Sequence, residues 1–570
     1  MYIDGIFPVP DLQPGKLVFN KRKNGVYIQL VLKQGYDPVK KYGVSERISI
    51  GKLVDPNDRT RMYANFAYKK HFPDLMPLEP EQPKKRNAVV KVGGFIALEH
   101  IYTEQQVYPI MADSVTSYSG ALLDMAFNFI ISENNVCQHL ESYGRTHPLH
   151  TEGMRIYSDT TYSRILAQHP EDDTLAFLEA WNNLQDHSQR IYVSYDSSNK
   201  ASAGDIDLVA FGCAKIDTGS PIYNYSLAFN QTNQVPLFYE LYNGAINDVK
   251  QLKHFVDKLK EHGYHNIGII LDRGYFSREN IEYMDAEGFN FLIMVKGCKK
   301  LVSGIVDEVR DSFELNSRFR VAGTNLYATT VERKLYDDDT SSRWFHICYS
   351  PEKFMTEHRD LLKRIDDLEA ELKKNEGQEY IPTPECEEYF TLYYRQDGKR
   401  QVLAFAEKKH DAITATAKRC GFFCLISSAK MSAQEAYQLY SGRDSTEKLF
   451  LADKTFLGSH CARVHSTESL KTKSFAEFLA LIGRNRMFVL LQDEMLRLNV
   501  KRNYMTVPAA IRELEQIMMF RVRETGRYTL ANPLSKAQKE IFRALGMSEA
   551  DVLARVKQLG EELDASFERE

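Results

Sequence analysis

The 570-residue sequence contains no uncharged apolar run long enough to cross a bilayer as a helix. Its first residues, MYIDGIFPVP, lack the basic flank and apolar stretch of a secretory signal. Eight cysteines are scattered without a repeated spacing. That distribution argues against a disulfide framework and for reduced thiols in a cytoplasm. No glycine-rich loop ends in Lys-Ser or Lys-Thr, which argues against an ATP-driven motor. Cys420 and Cys424, with His460, Cys461 and His465 downstream, lack the two-residue separation usual for zinc. There are only two tryptophans, and there is no overall excess of basic charge.

The net charge of −4 would by itself count against a nucleic-acid partner, because phosphate contacts need Lys and Arg. The distribution offsets that objection. Residues 1–100 hold 17 basic and 10 acidic side chains, residues 101–195 hold 4 and 12, and residues 460–545 hold 15 and 8. Two basic regions therefore flank an acidic one, a pattern compatible either with DNA-facing surfaces or with ordinary solvated faces.

Length and pattern predict several domains. Residues 1–93 form an N-terminal basic region containing strands, with alternation in Val26–Leu32 and Arg47–Leu53. Residues 94–187 have helical apolar spacing, as at Leu122, Met125, Ala126 and Phe129. A mixed α/β core is expected over 188–297 and 421–490. Between them, 298–420 reads as a β-rich insertion with a charged helix near 351–376, and 491–570 reads as helical. Strands are expected near 208–215 and at Phe319–Ala322. Ile191–Tyr195 is a β-run ending at Asp196, and Ile267–Leu271 is a short buried strand ending at Asp272. Functional groups in α/β sheets gather at such strand ends, although a carboxylate there is more often a turn or cap residue.

A helix is expected over 432–454. On it Tyr440, Arg443, Glu447 and Lys454 stand at offsets of 0, 3, 7 and 14. At about 100° per residue they share a stripe about 60° wide and about 20 Å long. Such a face suits a metal at Glu447 and phosphates at Arg443 and Lys454. It also suits a solvated face with an Arg443–Glu447 pair.

The spacing Tyr440-x2-Arg443-x3-Glu447-x6-Lys454 resembles the YREK signature of bacterial insertion-sequence transposases, including the aromatic Phe450. Asp272-Arg-Gly-Tyr275 is similar to that family's second-aspartate motif, and Tyr195-Asp-Ser-Ser-Asn199 to its first. Pro236–Gly244 with Asn247-Asp248 resembles the stretch between them. Asp444 stands where the family often has tryptophan, and Ser197-Ser198 where it usually has threonine or glycine. The resemblance implies a ribonuclease-H-like core with a β-rich insertion. It implies Asp196, Asp272 and Glu447 as metal-binding catalytic residues, and two Mg2+ ions that Mn2+ can replace. It also implies Tyr440, Arg443 and Lys454 as phosphate grips on the element's end.

The expected partner is double-stranded DNA, both the terminal inverted repeats and the target, held by a homodimer in a bacterial cytoplasm close to the nucleoid. Trp344 is either a core residue or a stacking platform for an unpaired base at the DNA end. Two other readings stay open: a ribonuclease-H-like nuclease that cuts without joining, and a DNA-binding protein of the same ancestry without catalysis.

Overall fold

The computed structural model describes residues 5–22, 24–37, 42–75, 86–202, 206–211, 221–246, 248–296, 299–398, 400–443, 457, 460–501 and 505–569. Among them no helix is long and apolar enough to cross a membrane.

The centre is a mixed sheet of eight strands. Their spatial order is Tyr327–Arg333, Arg343–Tyr349, Phe422–Ser427, Asn290–Met294, Ile267–Leu271, Ile191–Ala201, Ile222–Asn230 and Val235–Asn243. Ile267–Leu271 lies in the middle, parallel to a neighbour on each side. All five of its residues are buried, as expected for a strand covered on both faces. Asp248–Glu261 and Arg278–Ala286 supply the helices around it. Leu252, Phe255, Val256 and Leu259 of the first are fully buried, as their helical spacing requires.

Two of the strands come from the span expected to be an insertion. Tyr327–Arg333 and Arg343–Tyr349 extend the central sheet through Phe422–Ser427. The separately cored part is shorter. It holds the helix Pro351–Lys374, the helix Pro384–Tyr389 and the hairpin Phe390–Asp397/Arg400–Lys408. Ile365, Leu368 and Leu372 of its first helix pack on Tyr389, Phe390 and Leu403. Phe319–Ala322 is not a strand. Ser317–Phe319 is a short 3-10 turn capped by Asn316, and only Arg320 bridges to Tyr327. Of the strand expected near 208–215, Ala210 makes an isolated bridge to Ile222, and 212–220 lie outside the described residues.

The helices of 93–183 and the C-terminal helices share one core with this sheet. Its axis is the 31-residue helix Thr467–Arg497, which packs on Ser119–Ser132 and on the strand Val235–Asn243. The C-terminal part is not wholly helical. Met518–Arg521 pairs with both Tyr528–Leu530 and Val89–Lys91. The N-terminal residues form a separate five-stranded antiparallel sheet with its own small core, which includes Ile28, Leu30, Ile50, Met62 and Tyr68.

His346 shows how polar groups are handled inside the central sheet. It is fully buried, with its ring nitrogens 2.9 Å from Thr330 Oγ1 and 2.9 Å from Ser427 Oγ. Burial pushes its pKa down from 6.5 to about 4. Between those values the unfolded chain binds a proton that the folded chain refuses, so stability rises with pH across the window and is lost as pH falls toward 4. His346→Gln is expected to lose less stability than the parent when urea unfolding is compared at about pH 7 and about pH 5. Equal losses would contradict this assignment.

Candidate active site

The site begins with strand register. Leu271 is paired in parallel with Tyr195, so Asp272, the first residue past its strand, stands beside Asp196. Along both strands the apolar side chains alternate. Ile269, Leu271, Val193 and Tyr195 enter the main core, whereas Ile270 packs in a smaller cluster on the opposite face. Period-two alternation therefore turns both aspartates to that opposite face.

Asp272 follows its strand as expected. Asp196 does not end its own. That strand runs on to Ala201, with Asp196 opposite Leu227 of the antiparallel neighbour. What stops at this level is the parallel partner. Asp196 therefore lies at a one-sided opening in the sheet rather than at a strand terminus. Its Oδ1 accepts the Ser197 N–H at 2.8 Å. Asp272 leads into the turn Arg273–Tyr275, where its carbonyl accepts the Tyr275 N–H at 3.0 Å and the buried Tyr275 ring stacks against Tyr195 in a tilted pair.

The helix Ala433–Gly442 covers this face. Ser432 caps it by accepting the Glu435 N–H at 3.1 Å. Its buried Ala436 and Tyr440 pack on Ile270, Leu292 and Leu425 of three adjacent strands. That packing aims the Tyr440 hydroxyl at Asp272, donating to Oδ1 at 3.5 Å. Arg443 follows the last helical residue. Its Nη1 lies 3.8 Å from Asp196 Oδ2 and its Nη2 3.9 Å from Asp272 Oδ1. These are ion-pair separations, longer than hydrogen bonds. The guanidinium also lies 5.4 Å over the Tyr440 ring. Burial pushes the Tyr440 hydroxyl up to about 12, with Arg443 pulling it down and Asp272 adding to the rise. At neutral pH the tyrosine is therefore a proton-bearing donor.

Sequence reasoning missed Gln231, which follows the strand Ile222–Asn230. Its backbone N–H donates to Tyr192 O at 2.8 Å. With its amide nitrogen toward the helix end, the side chain donates to Leu439 O and accepts the Arg443 N–H, each at 2.9 Å. One glutamine thus ties the Asp196 strand to the backbone of Arg443. Gly442 makes room for it, since a Cβ there would stand 2.7 Å from the Gln231 side-chain amide. No sequence signal marks Gln231, because its partners are some 40 and 210 residues away.

The far end of the Asp196 strand is tied down as well. Ala201 donates to His460 O and accepts from the Ala462 N–H, both at 3.0 Å. Beside this bridge the Lys200 ammonium, wholly buried, pairs with Glu477 at 3.0 Å and lies 4.0 Å over the Tyr225 ring. Asn135 donates to the other Glu477 oxygen at 3.0 Å and to Cys461 O at 3.2 Å. Arg443 therefore stands beside the aspartates, and His460 beside Ala201, five residues along the strand from Asp196. Of the expected stripe, Tyr440 and Arg443 face Asp272, whereas Glu447 and Lys454 lie outside the described residues.

Trp344 is half-buried in the sheet, opposite Glu332 and Ser427. Phe345 and Ile347 point into the main core, so Trp344 faces the side that carries the aspartates. Three strand spacings, about 14 Å at ~4.8 Å each, separate its strand from that of Asp272.

Chemically, the pair offers hard oxygen donors that suit a small divalent cation. One guanidinium against two carboxylates leaves a net negative charge. Among the described residues no group of three or more His, Cys, Asp or Glu side chains that could hold a metal ion occurs.

Residues 209–482 match the family model described as a transposase DDE domain. The match takes in Asp272, Trp344, Tyr440, Arg443, Glu447 and Lys454 and begins after Asp196. It supports a DDE transposase and, with it, an enzyme of the nucleotidyl-transferase type. No curated protein sequence matches the chain. Among solved structures, one described as the cryo-EM structure of a piggyBac transposase synaptic complex with hairpin DNA aligns over 83% of this chain and 84% of that one. Its identity is 9% and its TM-score 0.36, and at that level nothing is transferred from it.

Proposed function

We propose that this chain is a DNA transposase that cuts the ends of an insertion sequence and transfers the freed 3′-OH into target DNA. The observation that carries the reading is the paired placement of Asp196 and Asp272 at one opening of the sheet, under the helix that bears Tyr440 and is followed by Arg443. In this reading the core is of the ribonuclease-H-like type and the Tyr440–Lys454 spacing is that of the YREK group.

Asp196 and Asp272, with Glu447 as the third carboxylate, would hold two divalent cations, Mg2+ or Mn2+. When bound, these supply Lewis-acid polarisation of the phosphodiester and a more acidic attacking hydroxyl. Support for Glu447 comes from the sequence: it follows by four residues Arg443, which stands beside both aspartates. The chain's own residues do the rest. Arg443 and the protonated Tyr440 present donors at the rim of the carboxylate pair, where the oxygens of a bound phosphodiester would accept them. Lys454 would extend this grip along the DNA end, and Trp344, on the same face, would meet a base displaced from it. The partner is duplex DNA, with two chains holding two ends, in a cytoplasmic, nucleoid-associated setting.

The test uses DNA that spans the two borders of the gene. With Mg2+ the purified chain should cut at short inverted repeats and leave 3′-OH ends, and a chelator should abolish the cut. Metal-independent cutting, or none, would count against the reading.

A further inference from the structure

A cavity of about 720 Å³ lies beside the helix Asp159–Gln168 and the segment that leads into Thr467–Arg497. None of the residues around it belongs to the carboxylate site. Its volume is that of a small-molecule site rather than of a packing defect. Phe66, Val136, Leu166, Ala167 and Val464 supply an apolar wall. Arg164 and Arg463 bring two guanidiniums to the same space, against one carboxylate, Asp159.

The two arginines are held in different ways. Arg164 stands on the second turn of its helix, and its Nε is buried with no hydrogen-bond partner. Among the described residues no carboxylate pairs with it. A guanidinium withdrawn from water without an acceptor is unfavourable, and an anion in the cavity supplies one. Arg463 has a left-handed backbone, with φ of +51°. A residue with a side chain keeps that conformation only where its surroundings hold it. Here they do. The preceding Ala462 donates to Ala201 O at 3.0 Å and accepts the Lys473 ammonium at 2.7 Å, and the following Val464 is buried. The Arg463 Nη1 then donates to Asn135 Oδ1 at 2.6 Å. Asn135 is neutral, so this bond orients the guanidinium without cancelling its charge. The helix Thr467–Arg497 also starts at the cavity. Its cap Ser466 accepts the Ser469 N–H at 3.1 Å, and both serines stand on the wall. The positive end of a long helix therefore adds to the charge of the arginines.

We infer that this cavity binds a small amphipathic anion, a carboxylate or phosphate monoester on an apolar body. The anionic head is taken by Arg164 and Arg463, and the body by the apolar wall. That wall separates the site from a contact with a DNA backbone, which has no apolar body to cover it. The inference stands apart from the transposase reading and needs no DNA.

The full-length chain is titrated with anilinonaphthalene sulfonate, a fluorescent anion on an aromatic body, and the bound probe is displaced with octanoate, octyl phosphate or octanol. A saturable site is expected, with the anionic competitors effective at concentrations about tenfold below octanol. Whichever of octanoate and octyl phosphate displaces at the lower concentration identifies the head group. Arg164→Gln with Arg463→Gln should weaken the probe about tenfold and remove the advantage of the anions over octanol. A calorimetric melt that matches the parent shows that the fold is intact. If the double variant does not melt as the parent does, Ala167→Trp, at an exposed helical position, fills the cavity and leaves both charges, and it should expel the probe. Equal displacement by octanol and the anions, or a probe held by the variants as tightly as by the parent, overturns the inference. Loss of the probe on adding an equimolar duplex of arbitrary sequence also overturns it, because the cavity would then be part of a DNA groove.

Discussion

Asp272→Asn is expected to lower metal-dependent end cleavage by about three orders of magnitude or more, with duplex binding retained. The reasoning starts from charge. The substitution is isosteric and leaves an oxygen for the Tyr440 hydroxyl, now 3.5 Å away. It removes one of the two negative charges that the Arg443 guanidinium faces at 3.8 and 3.9 Å. The remaining carboxylate and the Arg443 guanidinium then sum to zero, and a divalent cation loses most of its incentive to bind. Loss of about 4 kcal/mol of transition-state stabilisation corresponds to roughly 10³ in rate. Asp196→Asn should act as strongly, because the two carboxylates stand side by side in one register. Single-turnover cleavage in Mg2+, beside a gel-shift on the same duplex, separates chemistry from binding. Cleavage within a few-fold of the parent in either variant would remove the aspartates from the mechanism.

The second large effect is structural. Lys200→Met leaves Glu477 charged and only 2% exposed, with Asn135 as its remaining described partner. Removing one member of a buried ion pair typically costs about 3–5 kcal/mol. Replacing both, as Lys200→Met with Glu477→Leu, should recover most of that loss, because no isolated charge remains in the core. The pair holds the end of the strand that carries Asp196, four residues away, against the segment that returns at His460. The single variant should therefore lose cleavage activity along with stability, and the double variant should regain stability first. Chemical unfolding followed by Tyr and Trp fluorescence reads the difference. A single variant as stable as the parent would show that water or a rearranged neighbour compensates for the lost ammonium.

Parts of this arrangement could be read directly from the sequence. Ile267–Leu271 is five apolar residues bounded by polar ones, so the strand and the position of Asp272 were both legible. Tyr440 and Arg443 were legible together because a three-residue step returns to nearly one side of a helix, and Arg443, the cap after Gly442, keeps helical backbone angles. The end of the Asp196 strand was not. Ser197, Ser198, Asn199 and Lys200 look like a loop, yet Ser197, Ser198 and Lys200 are buried within the strand. Lys200 can be buried because Glu477 neutralises it from 277 residues away, a partner that no local pattern reveals. The β-rich character of 298–420 was legible, but the membership of Tyr327–Arg333 and Arg343–Tyr349 in the central sheet depends on pairing with Phe422–Ser427, some 75 residues on. Phe319–Ala322 failed because Asn316 caps a turn where the apolar residues suggested a strand. Gln231 is silent in the sequence for the same reason as Lys200. Its role exists only once a helix end and a strand have been brought together.

The central claim concerns joining as well as cutting. A duplex that carries the border sequence with a pre-formed 3′-OH end, incubated with the chain, Mg2+ and a supercoiled plasmid, tests it most directly. The account predicts covalent products in which the 3′ end is linked to plasmid DNA, absent with Asp272→Asn and absent without the divalent ion. Plasmid nicking without any joined product would contradict it and would assign the same carboxylates to a nuclease.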